Sequence, residues 1–126
     1  MFKVISTEKA PAAIGPYSQA MVFDHLLISS GQLPIDPATG DFVGTTIEEQ
    51  AEQVMKNIGA VLEEAAAKYS NVVKTTCFLA DMADFAAFNQ VYEEFFISKP
   101  ARSCVAVKEL PKGVLCEVEA IGVKSV

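Results

Sequence analysis

Between Thr46 and Ala65 the apolar residues Ile47, Ala51, Val54, Met55, Ile58, Val61, Leu62 and Ala65 recur at helical spacing along one face. Thr46 with Glu49 three residues on forms a capping box, which fixes where this helix starts. Glu48, Glu49, Glu52, Gln53, Lys56 and Glu63 lie largely outside the stripe. A helix that is apolar on one side only packs against a single layer and is not buried all round. The rest of the chain must supply a sheet to receive it.

Strand signals fall on both sides of this helix. Val72 to Leu79 is rich in β-branched residues and bounded by Ser70-Asn71 and Asp81. Lys3 to Ser6 is a short strand, and Met21–Phe23 and Leu26–Ser30 form a hairpin around Asp24-His25. Pro34, Pro37 and Gly40 mark Gly31 to Asp41 as a loop, with a brief pairing expected at Phe42 and Val43. Asp81 is placed to cap a second helix with apolar positions Phe85, Phe88, Val91, Tyr92, Phe95 and Phe96, and Pro100 closes that region. Two further strands, Arg102–Val107 and Val114–Val123, flank a turn at Pro111 and Gly113.

Strands, helix, strand, helix and two strands make an α+β two-layer sandwich, with a mixed β-sheet and both helices on one face. The 126 residues suit one domain spanning 1–126. The second face of the sheet is then uncovered. Cys104 and Ala106 alternate with Ser103, Val105 and Val107, and Cys116, Val118, Ala120 and Gly122 alternate with Glu117, Glu119, Ile121 and Val123. Both faces are substantially apolar, so self-association through the bare one is expected.

Charge and motif content exclude several functions. The net charge of −6, with ten cationic side chains against sixteen carboxylates, opposes nucleic-acid binding through counterion release. Nine of the cations are scattered lysines; Arg102 is the one arginine. Cys77, Cys104 and Cys116 form no CxxC pair and His25 is the single histidine, so neither a metal site nor a disulfide framework is expected. The N-terminus lacks an apolar signal segment and no apolar run approaches the ~20 residues of a membrane span, which points to a cytoplasmic protein with no membrane partner. The P-loop, dinucleotide, HExxH and GxSxG signatures are absent. A Ser-His-Asp triad would have to recruit His25 from a hairpin turn, where histidine is ordinarily solvated, and Cys104 as a nucleophile lacks the same base.

A few polar residues on apolar strands remain. The Arg102 guanidinium is a rigid fork matched to a carboxylate, with a surface or intersubunit ion pair as its plainer reading. Glu117 and Glu119 stand between Leu115 and Ile121, either solvated on an edge strand or partly buried near Arg102, where the pair could hold a carboxylate substrate and orient a water. Tyr17 and Asn89 are candidates by residue type only; spacing alone reads them as a loop anchor and a helix-surface polar group.

The stretches Ala13-Ile-Gly-Pro-Tyr-Ser-Gln-Ala20, Ser29-Ser-Gly-Gln-Leu-Pro-Ile-Asp-Pro-Ala-Thr-Gly40, Val73-Lys-Thr-Thr76, Pro100-Ala-Arg-Ser-Cys-Val105 and Cys116-Glu-Val-Glu-Ala-Ile-Gly122 closely resemble the RidA/YjgF family of reactive-intermediate (enamine/imine) deaminases. The resemblance covers essentially the whole chain. It implies a chorismate-mutase-like protomer assembled as a homotrimer, with pockets at the subunit interfaces. By resemblance Arg102 clamps the substrate carboxylate, Glu117 positions the hydrolytic water, and Tyr17, Ser30, Gly31, Asn89 and Cys104 line the pocket. The implied reaction is hydrolysis of 2-aminoacrylate-type enamines and 2-imino acids to 2-oxo acids and ammonia, with no cofactor. Phe95-Phe-Ile-Ser-Lys-Pro100 is shorter than the usual family segment, which bears on the rim near Arg102 and on substrate breadth. Cys116 stands where a branched aliphatic is common, a core exchange that free cysteine tolerates.

Competing readings differ in which residues they need. A non-catalytic module sensing small carboxylates such as 2-oxo acids shares Arg102 and has no use for Glu117. A chorismate mutase would need more cationic contacts for a dianion than one arginine supplies. A ribonuclease or translation inhibitor is opposed by the charge, and a holdase leaves no sequence trace.

Overall fold

The computed structural model describes residues 2–124. Its strands are β1 (Phe2–Ile5), β2 (Ala20–Phe23), β3 (Leu26–Ser29), β4 (Val72–Leu79), β5 (Ala101–Ala106) and β6 (Cys116–Val123), with helices α1 (Ile47–Glu64) and α2 (Phe85–Phe95). They form a six-stranded mixed sheet in the order β1-β2-β3-β6-β4-β5. Only β4 and β5 pair in parallel, and α2 connects them. Strands β3 and β4 both run antiparallel to the β6 that separates them, so α1 links two strands of the same direction with β6 inserted between. This is the two-layer α+β sandwich expected from the order of elements.

Helix α1 begins where its chemistry requires. Thr46 Oγ1 accepts from Glu49 N at 3.2 Å, and Glu49 Oε1 accepts from Thr46 N at 3.2 Å. The Thr45 and Thr46 amides, with the Thr46 hydroxyl, donate to the Glu49 carboxyl and hold it below the usual carboxylate range. The buried face of α1 carries Ala51, Val54, Met55, Ile58, Val61 and Leu62, together with Gln50 and Asn57, two amides that a purely apolar stripe does not anticipate. Gln50 donates to Gly44 O at 3.1 Å and accepts from Leu115 N at 2.7 Å. Asn57 Nδ2 donates to Leu33 O and Ile35 O, both at 2.9 Å. The two amides pin the long 30–45 loop to the helix, because its buried carbonyls need partners that neither helix nor sheet provides. Replacing Asn57 by Ala removes the side-chain donor from Ile35 O and leaves Leu33 O with Ile35 N alone, and is expected to destabilise the fold by about 1–3 kcal/mol in chemical denaturation.

Local departures from the sequence reading have local causes. Asp81 does cap, but its Oδ1 accepts from Ala83 N at 2.9 Å and so starts a 3₁₀ turn, Met82–Asp84, that leads into α2. Pro111–Gly113 is also a 3₁₀ turn, and β6 accordingly begins at Cys116 rather than Val114. Phe42 pairs only as an isolated bridge with Ile35. Cys116 is fully buried in the core, and all three cysteines are free thiols.

The sheet face turned away from the helices is the uncovered one. Alternation places Phe2, Val4, Phe23, Ile28, Val105 and Val123 there, every one of them exposed. Phe2 and Phe23 meet across β1 and β2 with ring centroids 5.2 Å apart. On the same face lie Glu117 and Glu119, register partners of Phe78 and Thr76.

Candidate active site

Arg102 sits on the edge strand β5 opposite Thr75, on the helix-facing side of the sheet. Its Nη1 donates to Asn89 Oδ1 at 2.7 Å, and its Cζ lies 4.8 Å from the Tyr92 ring centroid and 5.4 Å from that of Phe85. Phe85, Asn89 and Tyr92 follow one another at four- and three-residue spacing, so a single face of α2 receives the guanidinium. No carboxylate pairs with Arg102 among the described residues, so within one chain a surface ion pair gives way to a neutral amide and two rings. A cavity of about 320 Å³ opens beside it, walled by Asn89, Tyr92, Glu93, Phe96, Lys99 and Pro100. The short connection after α2 forms its rim: Lys99 N donates to Phe96 O at 3.1 Å, and Lys99 adopts a left-handed backbone with φ 55°.

Cys104 follows two residues along the same face of β5, half-buried beside Arg102 and paired in register with the buried Cys77. Burial pushes the Cys104 thiol up, partly offset by the Arg102 charge, and burial pushes Cys77 up to about 12. Neither thiol has the thiolate character of a nucleophile at neutral pH. Asn89, by contrast, is no mere surface polar group, because its amide oxygen is the partner of Arg102.

Glu117 belongs to a different cluster. Strand β6 is central rather than an edge, and Glu117 is half-buried on the uncovered face. Beyond β3 the ladder is offset by one residue: Ile28 pairs with Ile121, whereas Gln32 pairs with Val118. Ser29 Oγ accepts from Ala120 N at 2.9 Å where the pairing is interrupted. Gly31 lies in this offset, and a Cβ there would collide with Glu117 Oε2, so a glycine is what lets the carboxylate lie against the loop. Burial pushes the Glu117 carboxyl above its ordinary range, and the Glu119 charge adds to the effect.

The loop between β1 and β2 completes this second cluster. Tyr17 and Gly31 line a small cavity of about 40 Å³ together with Gln19 and Gln32. Ser30 Oγ donates to Ser18 O at 2.6 Å, tying the Gly31 loop to the Tyr17 loop. Gln19 is buried and bonds Thr7, Ala10 and Pro11, which makes it the anchor of that loop. Tyr17 itself is 54 % exposed and anchors nothing.

The seven candidate residues therefore separate into Asn89, Arg102 and Cys104 on the helix side, Glu117 on the uncovered side with Gly31 against it, and Tyr17 and Ser30 in the adjoining loops. Arg102 and Glu117 project from opposite faces of one sheet and do not meet within a protomer. Two contributors lay outside the sequence-based list. Phe85 and Tyr92 read as ordinary members of an apolar stripe, and the signal that marks them is the amide of Asn89 lying between them at helical spacing. Among the described residues no three His, Cys, Asp or Glu side chains converge as a metal site, and no helix is long and apolar enough to cross a membrane. His25 lies in the exposed β2–β3 turn.

Comparison with known proteins extends these observations. The model of the family described as endoribonuclease L-PSP matches residues 7–124. A 2-iminobutanoate/2-iminopropanoate deaminase of Capra hircus is 50 % identical over 123 residues, covering 97 % of this chain and 90 % of its own length. The yjgF gene product of E. coli superposes with a TM-score of 0.93 at 46 % identity, over 98 % of this chain and 99 % of its own. TdcF of E. coli, solved with bound serine, superposes with a TM-score of 0.93 at 40 % identity over 98 % of this chain and 99 % of its own.

Proposed function

This chain belongs to the RidA/YjgF family, and from that membership we propose that it is a cofactor-independent deaminase, hydrolysing 2-aminoacrylate-type enamines and 2-imino acids to 2-oxo acids and ammonia. The observation that carries the mechanism is the division of the candidate residues between two sheet faces. A small imino acid can touch both Arg102 and Glu117 only if they come from different copies. The protein is accordingly read as a chorismate-mutase-like homotrimer, in which the uncovered face of one copy meets the β5–α2 edge of the next. Such a head-to-tail contact closes into a ring when the rotation permits. It also covers the exposed Phe23, Ile28 and Val105 side chains. A mass in solution of three times the 13.5 kDa chain agrees with this reading, and a monomer contradicts it.

In the composite site Arg102 fixes the substrate carboxylate with a two-pronged hydrogen bond. The neighbouring copy's Glu117 takes a proton from water as the water oxygen attacks the imine carbon. The carbinolamine nitrogen of the protonated imine's adduct then receives that proton, the C–N bond breaks as the hydroxyl proton passes back to the Glu117 carboxylate, and ammonia leaves the 2-oxo acid. The carboxyl of Glu117, raised by burial, is a better base than a solvated one, provided that it is ionised. The same chemistry suits the deaminase of Capra hircus by its name. The serine bound to TdcF is likewise an α-amino carboxylate of substrate size. The endoribonuclease description of the family finds no support in a chain of net charge −6 with scattered lysines. A cytoplasmic setting is proposed with it, where amino-acid metabolism generates such imines.

The test is a trap assay. An amino-acid oxidase generates 2-iminopropanoate, and semicarbazide competes for it. Added protein is expected to lower semicarbazone accumulation in proportion to its concentration; no change at any concentration contradicts the deaminase reading.

A further inference from the structure

Arg102 is a long side chain on an edge strand, and an unheld guanidinium would spread over many rotamers. Three residues of α2 hold it, and one of them is itself fixed from elsewhere. The Tyr92 hydroxyl lies 2.7 Å from Thr75 Oγ1 on β4, with Tyr92 7 % and Thr75 0 % exposed. Thr75 is a hydroxyl in a helix-facing row otherwise made of Val72, Cys77 and Leu79. The Thr75 hydroxyl partners the Tyr92 hydroxyl, which would otherwise lack this bond, and also accepts from Cys77 Sγ at 4.0 Å. The pair thus locks the Tyr92 ring, and the ring supports the guanidinium 4.8 Å above its centroid. Of the five N–H donors of the arginine side chain, the described structure uses one, at Asn89.

We propose that Tyr92, anchored by Thr75, is a positioning residue that holds the Arg102 guanidinium in the orientation a substrate carboxylate requires. The ring fixes the plane of the fork and Asn89 fixes its rotation within that plane. The remaining donors are left at the cavity for the ligand. The carboxylate part rests on the deaminase reading; the positioning part does not.

Because Arg102 is the one arginine of the chain, its guanidinium gives a single side-chain signal in nitrogen–proton NMR spectra. In the wild type that signal is expected to be displaced by the ring current of Tyr92. The displacement should fall to the share of the more distant Phe85 ring in Tyr92→Leu and in Tyr92→Met, the second chosen because methionine fills irregular space and guards against misfolding. Either variant should raise the Kd for 2-oxobutanoate and the KM for 2-iminopropanoate about tenfold, the scale of a desolvated cation–π contact, with kcat changed far less. Thr75→Val keeps the ring and removes its anchor, and should raise the same Kd and KM about threefold; wild-type values there overturn the anchoring by Thr75. An undisplaced arginine signal in the wild type overturns the proposal. So does a variant that loses the Tyr92 share of the displacement, or only thermal stability, while Kd and KM stay at wild-type values. A wild type that binds no 2-oxo acid contradicts the deaminase reading, and the arginine signal then decides the positioning claim by itself.

Discussion

Arg102→Ala is expected to lose about 10²- to 10³-fold in kcat/KM for 2-iminopropanoate, the range seen when one partner of a desolvated charge pair is removed, while fold and assembly persist. No other arginine can substitute, and the described cavity offers only Lys99 as a second cation. A lysine at the rim is a point charge on a flexible stem and cannot reproduce the two-pronged contact. The fold should survive because among the described residues Arg102 makes no buried ion pair; it forms one hydrogen bond to Asn89 and lies against two rings that remain packed without it. Circular dichroism and solution mass should therefore match the wild type. Full activity in this variant removes the carboxylate clamp from the mechanism.

Glu117→Gln is expected to lower kcat by about 10²–10⁴-fold, the usual share of a positioned general base, with the Kd for 2-oxobutanoate changed only a few-fold. Glutamine keeps the size of the side chain against Gly31, so binding geometry is retained while proton transfer is lost. The pH profile gives a second reading. Glu117 works as a base only when ionised, so wild-type activity should fall as the pH drops through its pKa. Within one copy burial and Glu119 raise that pKa, while the neighbouring copy's Arg102 charge acts in the opposite sense, so the limb reports the balance of the two. In Glu117→Gln the limb should disappear along with most of the rate. Equal losses in rate and in binding would instead mark Glu117 as a binding residue. A carboxylate sensor would leave the wild type itself without turnover.

Helix α1 and strand β4 were legible because their signals are local. Thr46 and Glu49 mark the helix start through hydrogen bonds within four residues, and Val72–Leu79 carries its own β-branched pattern. Alternation also told which side chains of β5 share a face, and which of β6. What no strand reveals alone is how its alternation relates to that of another. The relation between Arg102 and Glu117 depends on β4, which pairs Thr75 with Arg102 and Phe78 with Glu117. That register is a tertiary fact, so proximity of the two residues was an open expectation until the sheet order was known. Gln50 and Asn57 were hidden for a related reason: their partners are backbone groups distant in sequence, loop carbonyls up to 24 residues away and the Leu115 amide 65 residues away. The aromatic seat of Arg102 was written in the spacing of Phe85, Asn89 and Tyr92, but an aromatic stripe on a helix ordinarily signals only core.

Because Arg102 and Glu117 project from opposite faces of the sheet, two inactive variants should repair one another. Arg102→Ala and Glu117→Gln are each purified, then unfolded and refolded together in equal amounts, and 2-iminopropanoate hydrolysis is measured. In a mixed ring of head-to-tail copies, about a quarter of the sites combine an intact Arg102 from one copy with an intact Glu117 from the next. Activity should therefore return to roughly a quarter of the wild-type value, although each variant refolded alone stays inactive. Mixed assemblies that form and yet remain as inactive as their parents would contradict a site shared between copies.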